Sequence, residues 1–84
     1  MALRFGADVS TAATDYGTVL LDQRTGQYWE LNPTATLVIE TLMAGGDEEA
    51  ATTALMREYD VPQSQARNDV NTLVQDLRAS GLAT

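Results

Sequence analysis

The 84-residue sequence contains no cysteine, no histidine and no lysine. The absence of cysteine and histidine excludes disulfides, thiolate or imidazole zinc sites, cysteine nucleophiles and histidine general bases. The absence of lysine excludes a Schiff base and a lysine-held phosphate. A serine nucleophile would have neither of its usual bases. The sequence therefore predicts a protein that is not an enzyme and needs no cofactor.

Positive charge is also scarce. Twelve acidic and five basic residues give a net charge of −7. Nucleic-acid binding depends on cations that displace counterions from phosphates, so this composition disfavours a nucleic-acid partner. A basic or neutral partner is favoured instead.

Long apolar runs are missing as well. No stretch of 18 apolar residues exists, which predicts no membrane span. The first five residues, MALRF, lack the basic and apolar regions of a signal peptide, so a cytoplasmic location is expected. The length predicts one small domain over residues 1–84 with a thin core.

The first third of the chain is strand-like. Alternating apolar residues predict a first strand over residues 3–9, and the small polar run STAATDYG (10–17) predicts a loop. TVLL (18–21) predicts a second strand and QYWEL (27–31) a third, joined by the five-residue hairpin connection DQRTG (22–26).

The rest of the chain is helical. Asn32 and Pro33 form an N-cap and first helical position, and Gly45-Gly46 ends this first helix. Asp47 caps a second helix, and Val61-Pro62 interrupts the chain. A third helix is predicted over residues 63–80, stopped by Gly81 with Leu82 folding back.

Three strands followed by three helices predict an α+β domain, because the two kinds of element are segregated along the chain. The short helix connections favour a winged helix-turn-helix-like arrangement, with a three-stranded antiparallel sheet as the wing. The acids at 47–49 fit a helix start better than a metal site, and no metal ligand set is predicted.

Two aromatic residues stand side by side in the third strand. If Leu31 faces the core, Trp29 faces inward, and Tyr28 and Glu30 face the other way. An edge strand with Glu30 as its one charge offers unpaired backbone groups to an incoming peptide. The alternative is that Trp29 is simply core and Tyr28 a half-exposed strand residue.

The third helix is predicted to line the other side of such a groove. Its apolar stripe has Val74 on one flank and Asp69 and Asp76 on the other. Part of the stripe is therefore expected to contact a ligand's apolar side chains, and the two acids are expected to contact a peptide's Lys or Arg. The alternative is that Val74 is marginal core and the acids form a solvated face.

The residues from Tyr16 to Asp47 and from Arg67 to Leu82 resemble the PqqD-like family, the RiPP recognition elements that bind leader peptides. The matches are Gly26, YWELN (28–32), the helix ending at Gly45-Gly46, Asp69-Val70 with Leu73 and Leu77, and Gly81-Leu82. Within the family, the chain is most similar to stand-alone leader-binding proteins of lasso-peptide biosynthesis.

The resemblance implies that a precursor's leader pairs with the third strand and lies against the third helix. It also implies a cysteine protease that removes the leader and an ATP-dependent lasso cyclase as partners. The implied peptide-binding residues are Gln27, Tyr28, Trp29, Glu30 and Leu31 on the strand, and Asp69, Val70, Leu73, Val74, Asp76 and Leu77 on the helix.

Three alternatives stay open at this point. One is a PqqD-type peptide chaperone of cofactor biosynthesis. Another is a winged-helix DNA-binding protein, although the charges of the third helix, Arg67 and Arg78 against Asp69 and Asp76, cancel. The third is a structural interaction domain that binds no peptide.

Overall fold

The structure, a computed structural model, describes residues 3–83. Its elements follow in the order of three strands and then three helices. The strands are β1 (Val9–Thr14), β2 (Gly17–Asp22) and β3 (Tyr28–Leu31). The helices are α1 (Pro33–Met43), α2 (Glu48–Tyr59) and α3 (Gln63–Ala79). This confirms the predicted α+β class.

The strands form one antiparallel sheet in the order β1-β2-β3. Thr11 pairs with Leu20 across the first ladder, and Leu20 pairs with Trp29 across the second. The connection between β2 and β3 is held by the Asp22 N–H donating to the Gln27 carbonyl at 2.9 Å. The same Asp22 accepts from the Gly26 N–H at 2.8 Å through its carbonyl, which closes the turn.

The prediction for the first strand was wrong. Residues 10–14, expected to be a loop, belong to β1, and only the two residues Asp15 and Tyr16 separate β1 from β2. Residues 11–14 are exposed on both faces of the sheet, so no alternation of buried and exposed positions marks them in the sequence. Only Val9, at its start, packs against the core, and the rest of the strand is defined by its pairing with β2 across the tight turn.

The alternating segment at residues 3–9 has another role. Phe5 forms an isolated bridge with Ala83, and the Gly6 N–H donates to the Leu82 carbonyl at 3.0 Å. Leu3 is buried in the core. The alternation therefore reflects packing of the segment against the end of the chain.

The helix ends confirm the predicted caps. The Asn32 Oδ1 accepts from the Ala35 N–H at 2.9 Å at the start of α1, and the Asp47 Oδ1 accepts from the Ala50 N–H at 2.8 Å at the start of α2. α3 ends as a Schellman motif, in which the Leu82 N–H donates to the Leu77 carbonyl at 3.2 Å.

One core joins the sheet to the helices. α1 packs on β2, β3 and the other two helices, and α2 packs on α3. The largest fully buried side chains come from β2, α1, α3 and the C-terminal segment: Leu20, Leu42, Leu82, Val38 and Val70. In residues 3–83, no helix has the length and apolar character that would let it cross a membrane.

Gly17 permits the close approach of β2 to the end of β3. Its φ is +144°, and a Cβ built there would lie 1.9 Å from the Leu31 carbonyl oxygen. Only a residue without a side chain fits between these backbones. Gly17 therefore fixes where β3 ends and α1 begins.

Candidate peptide-binding site

β3 lies at an edge of the sheet. Its only strand neighbour is β2, so its other side is not paired with any strand in the part of the chain described. The strand carries one charged residue, Glu30, and no proline. It therefore lacks most of the features that protect edge strands from strand addition.

The hydrogen-bond pattern identifies which backbone groups face outward. Asp22 and Gln27 are opposite each other and share a ladder bond, and such pairs recur at every second residue of an antiparallel ladder. Trp29 and Leu31 therefore bond to β2. The N–H and C=O groups of Tyr28 and Glu30 point to the open edge.

The side chains of β3 divide between two faces, as the sequence predicts. Trp29 is opposite the fully buried Leu20 and lies on the core face with the buried Leu31. Trp29 is nevertheless 39% exposed. Tyr28, on the other face, is 65% exposed. Both aromatic rings thus offer apolar surface beside the open edge.

α3 stands apart from β3. The backbone of β3 lies beside β2 and α1 and not beside α3 in the described structure, although Leu31 shares one core with the buried side chains of α3. A hollow of about 410 Å³ lies beside the first half of β3, against Gly26, Gln27, Tyr28 and Trp29.

A second hollow begins where β3 ends. It has a volume of about 420 Å³ and lies between the start of α1 and one face of α3. We call it the α1–α3 groove. Its lining residues are Asn32, Thr34, Ala35, Val38, Leu55, Asn68, Asp69, Thr72, Leu73 and Asp76.

The groove has an apolar floor and an acidic rim. Ala35, Val38 and Leu73 pack in or against the core and form part of the floor. Asp69 and Asp76 are exposed on α3 at the rim. None of the five arginines lines the groove. Its chemistry suits an apolar side chain flanked by a basic group.

The structure divides the α3 residues predicted for binding into two groups. Asp69, Leu73 and Asp76 line the groove. Val70, Val74 and Leu77 are buried, with no more than 3% exposure, and pack in the core. The expectation that Val70, Val74 and Leu77 offer side-chain surface to a ligand was therefore wrong, because α3 uses that face to pack against the rest of the domain.

Sequence reasoning missed five polar or small residues that line the groove. Asn32, Thr34 and Ala35 lie at the start of α1, and Asn68 and Thr72 lie on α3. The Asn32–Pro33 helix start is readable from sequence and places the first three beside the end of β3. Asn68 and Thr72 lie outside the apolar pattern of α3, so nothing in the sequence indicates that they line the groove.

The β2–β3 turn carries a carboxylate whose pKa is lowered by its neighbours. The Asp22 Oδ1 accepts from the Arg24 side chain at 3.4 Å and from the Arg24 N–H at 3.0 Å. These hydrogen bonds hold the pKa of Asp22 below its usual range, against the opposing effect of burial. Asp8 lies 4.0 Å from the same guanidinium. This network fixes the turn from which β3 starts.

The described part of the chain shows no cluster of metal-ligand residues. Residues 3–83 contain no group of three or more acidic side chains arranged to hold a metal ion. The site is an open strand edge with a groove at its end.

A family model agrees with this geometry. The model described as coenzyme PQQ synthesis protein D (PqqD) matches residues 17–83, which include β2, β3 and all three helices. The chain belongs to the PqqD family. No curated protein matches the chain by sequence.

Two solved structures are similar to this PqqD-family chain. One is lasso peptide synthetase B1 complexed with the leader peptide, with a TM-score of 0.93 and 39% sequence identity over 100% of this chain and 99% of that one. The other is TbiB1 in complex with the TbiA(beta) leader peptide, with a TM-score of 0.85 and 25% identity over 95% of this chain and 93% of that one.

Proposed function

We propose that the protein binds the leader segment of a ribosomally made precursor peptide in lasso-peptide maturation. The leader adds to β3 as a fourth strand and continues into the α1–α3 groove. The observation that carries this proposal is the open edge at Tyr28 and Glu30, which leads directly to the groove. The two similar structures, both bound to leader peptides, support it.

Two kinds of contact account for affinity. The outward backbone groups of Tyr28 and Glu30 bond to the leader backbone, each bond contributing about 1 kcal/mol. Apolar leader side chains cover Trp29 and Leu73, each well-buried anchor contributing roughly 1.5–3 kcal/mol. Backbone pairing is independent of leader sequence, so selectivity comes from the side-chain contacts.

The protein acts as an adaptor without a catalytic step of its own. It holds the precursor for a leader peptidase of the cysteine-protease class and for an ATP-dependent lasso cyclase. Holding the leader raises the effective concentration of the core peptide at these enzymes. Because the cyclase consumes ATP, the proposal places the protein in the cytoplasm.

The family description suggests a second candidate function. A PqqD-type chaperone of cofactor biosynthesis would use the same edge and groove for a different precursor. The identity to the leader-bound lasso synthetase B1 over the whole chain favours the lasso pathway. Titration with precursor leaders from both kinds of pathway distinguishes them.

The direct test is titration of a fluorescently labelled synthetic leader of a lasso-peptide precursor into the wild type and a groove-blocking variant. Thr72→Arg places a long side chain in the groove from an exposed position of α3, so the core is unchanged. We expect the dissociation constant to rise at least about tenfold, as expected when an apolar anchor worth roughly 1.5 kcal/mol is lost.

Thr53→Arg is the matched control. Thr53 is exposed on α2, lies outside the groove and gives the same change of charge. It should leave leader affinity within about twofold of the wild type, since exposed substitutions away from a site have small effects. Equal weakening by both variants, or no leader binding by the wild type, would contradict the proposal. Leu73→Glu is less selective, because Leu73 also packs against the core.

A further inference from the structure

The sheet has a second open edge, on the side opposite β3. β1 pairs only with β2, and its backbone lies beside no other described strand or helix. The Gln23 N–H donates to the Asp8 carbonyl at 2.9 Å, so Asp8 and every second residue after it bond to β2. The backbone groups of Val9, Thr11 and Ala13 therefore point away from the sheet.

Most of these outward backbone groups have no partner within residues 3–83. The Val9 N–H donates to the Gly6 carbonyl at 3.1 Å, which leaves the Val9 carbonyl and both backbone groups of Thr11 and Ala13. Residues 11–14 are exposed, and β1 carries no charged side chain and no proline. The strand thus lacks the features by which edge strands resist pairing with another chain.

The absence of charge on this edge favours a second copy as its partner. The chain has a net charge of −7, but the six residues of β1, VSTAAT, are all uncharged. A basic partner would therefore gain no ion pair along the strand, and a nucleic acid would gain no cation. A second copy meets no like charge along the strand itself, because the nearest acids, Asp8 and Asp15, flank its two ends.

The edge is also complementary to itself. A two-fold axis through Thr11 sets Thr11 of one copy opposite Thr11 of the other, and Ala13 opposite Val9. Each Thr11 N–H then donates to the opposite Thr11 carbonyl, and each Ala13 N–H donates to the opposite Val9 carbonyl. This register does not need the Val9 N–H, which Gly6 already binds. Two threonines directly opposite each other are a favourable cross-strand pair.

We propose that two copies of the chain pair through β1 into one six-stranded antiparallel sheet. β3 then lies at both outer edges, so the dimer leaves both β3 edges free and does not depend on the proposed function. One pair of short edge strands buries less surface than a standard interface, so the dimer is weak and forms at about 0.1–1 mM protein. Asp8 of one copy approaches Asp15 of the other at the strand ends, so salt strengthens the dimer by screening this repulsion.

The test measures the apparent mass of the full-length protein by sedimentation equilibrium from about 10 µM to about 1 mM. We expect the mass to rise with concentration toward that of two chains, and to rise further at about 500 mM salt than at about 50 mM. Thr11→Pro removes an outward N–H from each copy without interrupting the ladder to β2, so it should weaken dimerisation at least about tenfold.

Glu30→Pro is the matched control, because it makes the same backbone change at the β3 edge. It should leave dimerisation within about twofold of the wild type. Loss of the dimer in Glu30→Pro would assign the interface to β3 and overturn the proposal. A monomer at every concentration, a dimer that weakens as salt rises, or a dimer that Thr11→Pro leaves unchanged would also overturn it.

Amide hydrogen exchange of the wild type tests the same interface without a substitution. The Thr11 and Ala13 amides should exchange more slowly at about 1 mM protein than at about 10 µM, because pairing protects them only in the dimer. The Glu30 amide, on the opposite edge, should exchange equally at both concentrations. Exchange of Thr11 and Ala13 that is independent of concentration would overturn the proposal. Leader binding is titrated separately, and its failure would concern the proposed function alone.

Discussion

At the scale of single residues, a few side chains and one missing side chain fix the geometry of β3. Gly17 allows β2 to reach the Leu31 carbonyl, and Asn32 caps α1 immediately after it. Asp22 and Arg24 hold the turn at the other end of the strand. These residues therefore hold both ends of the strand that carries the open edge.

Gly17→Ala should destabilise the fold. Its Cβ would meet the Leu31 carbonyl oxygen at 1.9 Å, and its φ of +144° is unfavourable for alanine. We expect the free energy of unfolding in urea to fall by at least about 2 kcal/mol. Gly6→Ala is the control, because its Cβ would make only ordinary contacts, the nearest at 3.8 Å. Similar losses in both variants would contradict the role assigned to Gly17.

Arg24→Gln should remove a pH-dependent part of stability. Hydrogen bonds from Arg24 lower the pKa of Asp22 below 3.8, so the pair stabilises the fold above that value. The stabilisation is lost as pH falls below about 4 through the folded-state pKa. The wild type should therefore be more stable than Arg24→Gln at pH 6, and the difference should shrink by pH 3. A difference that stays constant with pH, measured by urea unfolding, would contradict this.

At the scale of elements, helices were more predictable than strands. The Asn32–Pro33 start and the Gly45-Gly46 end bound α1 in the sequence, since caps are local chemistry. β1 was missed because neither of its faces is buried along residues 11–14, so no period of two appears. The apolar stripe of α3 was visible, but only packing decides that Val70 and Val74 are covered and Leu73 reaches the groove.

The sheet has a second edge that serves as an internal control. β1 and β3 are both edge strands, and by the same alternation the N–H groups of Thr11 and Glu30 both point outward. Only β3 leads into the α1–α3 groove. An extended guest should therefore choose β3.

Glu30→Pro should weaken leader binding, and Thr11→Pro should not. Proline is tolerated at an edge where the N–H faces solvent, so neither change interrupts the β2 ladders. Loss of one backbone hydrogen bond, about 1 kcal/mol, predicts at least about fivefold weaker leader binding for Glu30→Pro. Fluorescence titration measures it, with circular dichroism as the check on folding. Weaker binding in Thr11→Pro alone would assign the leader to β1.

At the scale of the whole molecule, the net charge indicates which kind of partner this fold binds. Three helices with a small sheet resemble winged-helix DNA-binding domains, but a net charge of −7 opposes phosphate contacts. The same charge favours basic segments of peptides and proteins. The fold is compatible with DNA or with a peptide as partner, and the net charge favours the peptide.

The molecule should therefore not bind DNA. Non-specific binding by a DNA-binding domain is strongest at low salt, because few counterions then compete. We expect no mobility shift of a random duplex at about 20 mM salt, whereas labelled leader binds under the same conditions. A salt-sensitive shift of the duplex would contradict the assignment.

The most direct test of strand addition is amide hydrogen exchange by NMR with and without the leader. The Tyr28 and Glu30 amides should exchange quickly in the unbound protein and become protected when the leader binds. The Thr11 amide, on the opposite edge, should exchange at the same rate in both states. Leader binding that leaves Tyr28 and Glu30 unprotected, or protects Thr11 instead, would contradict strand addition at β3.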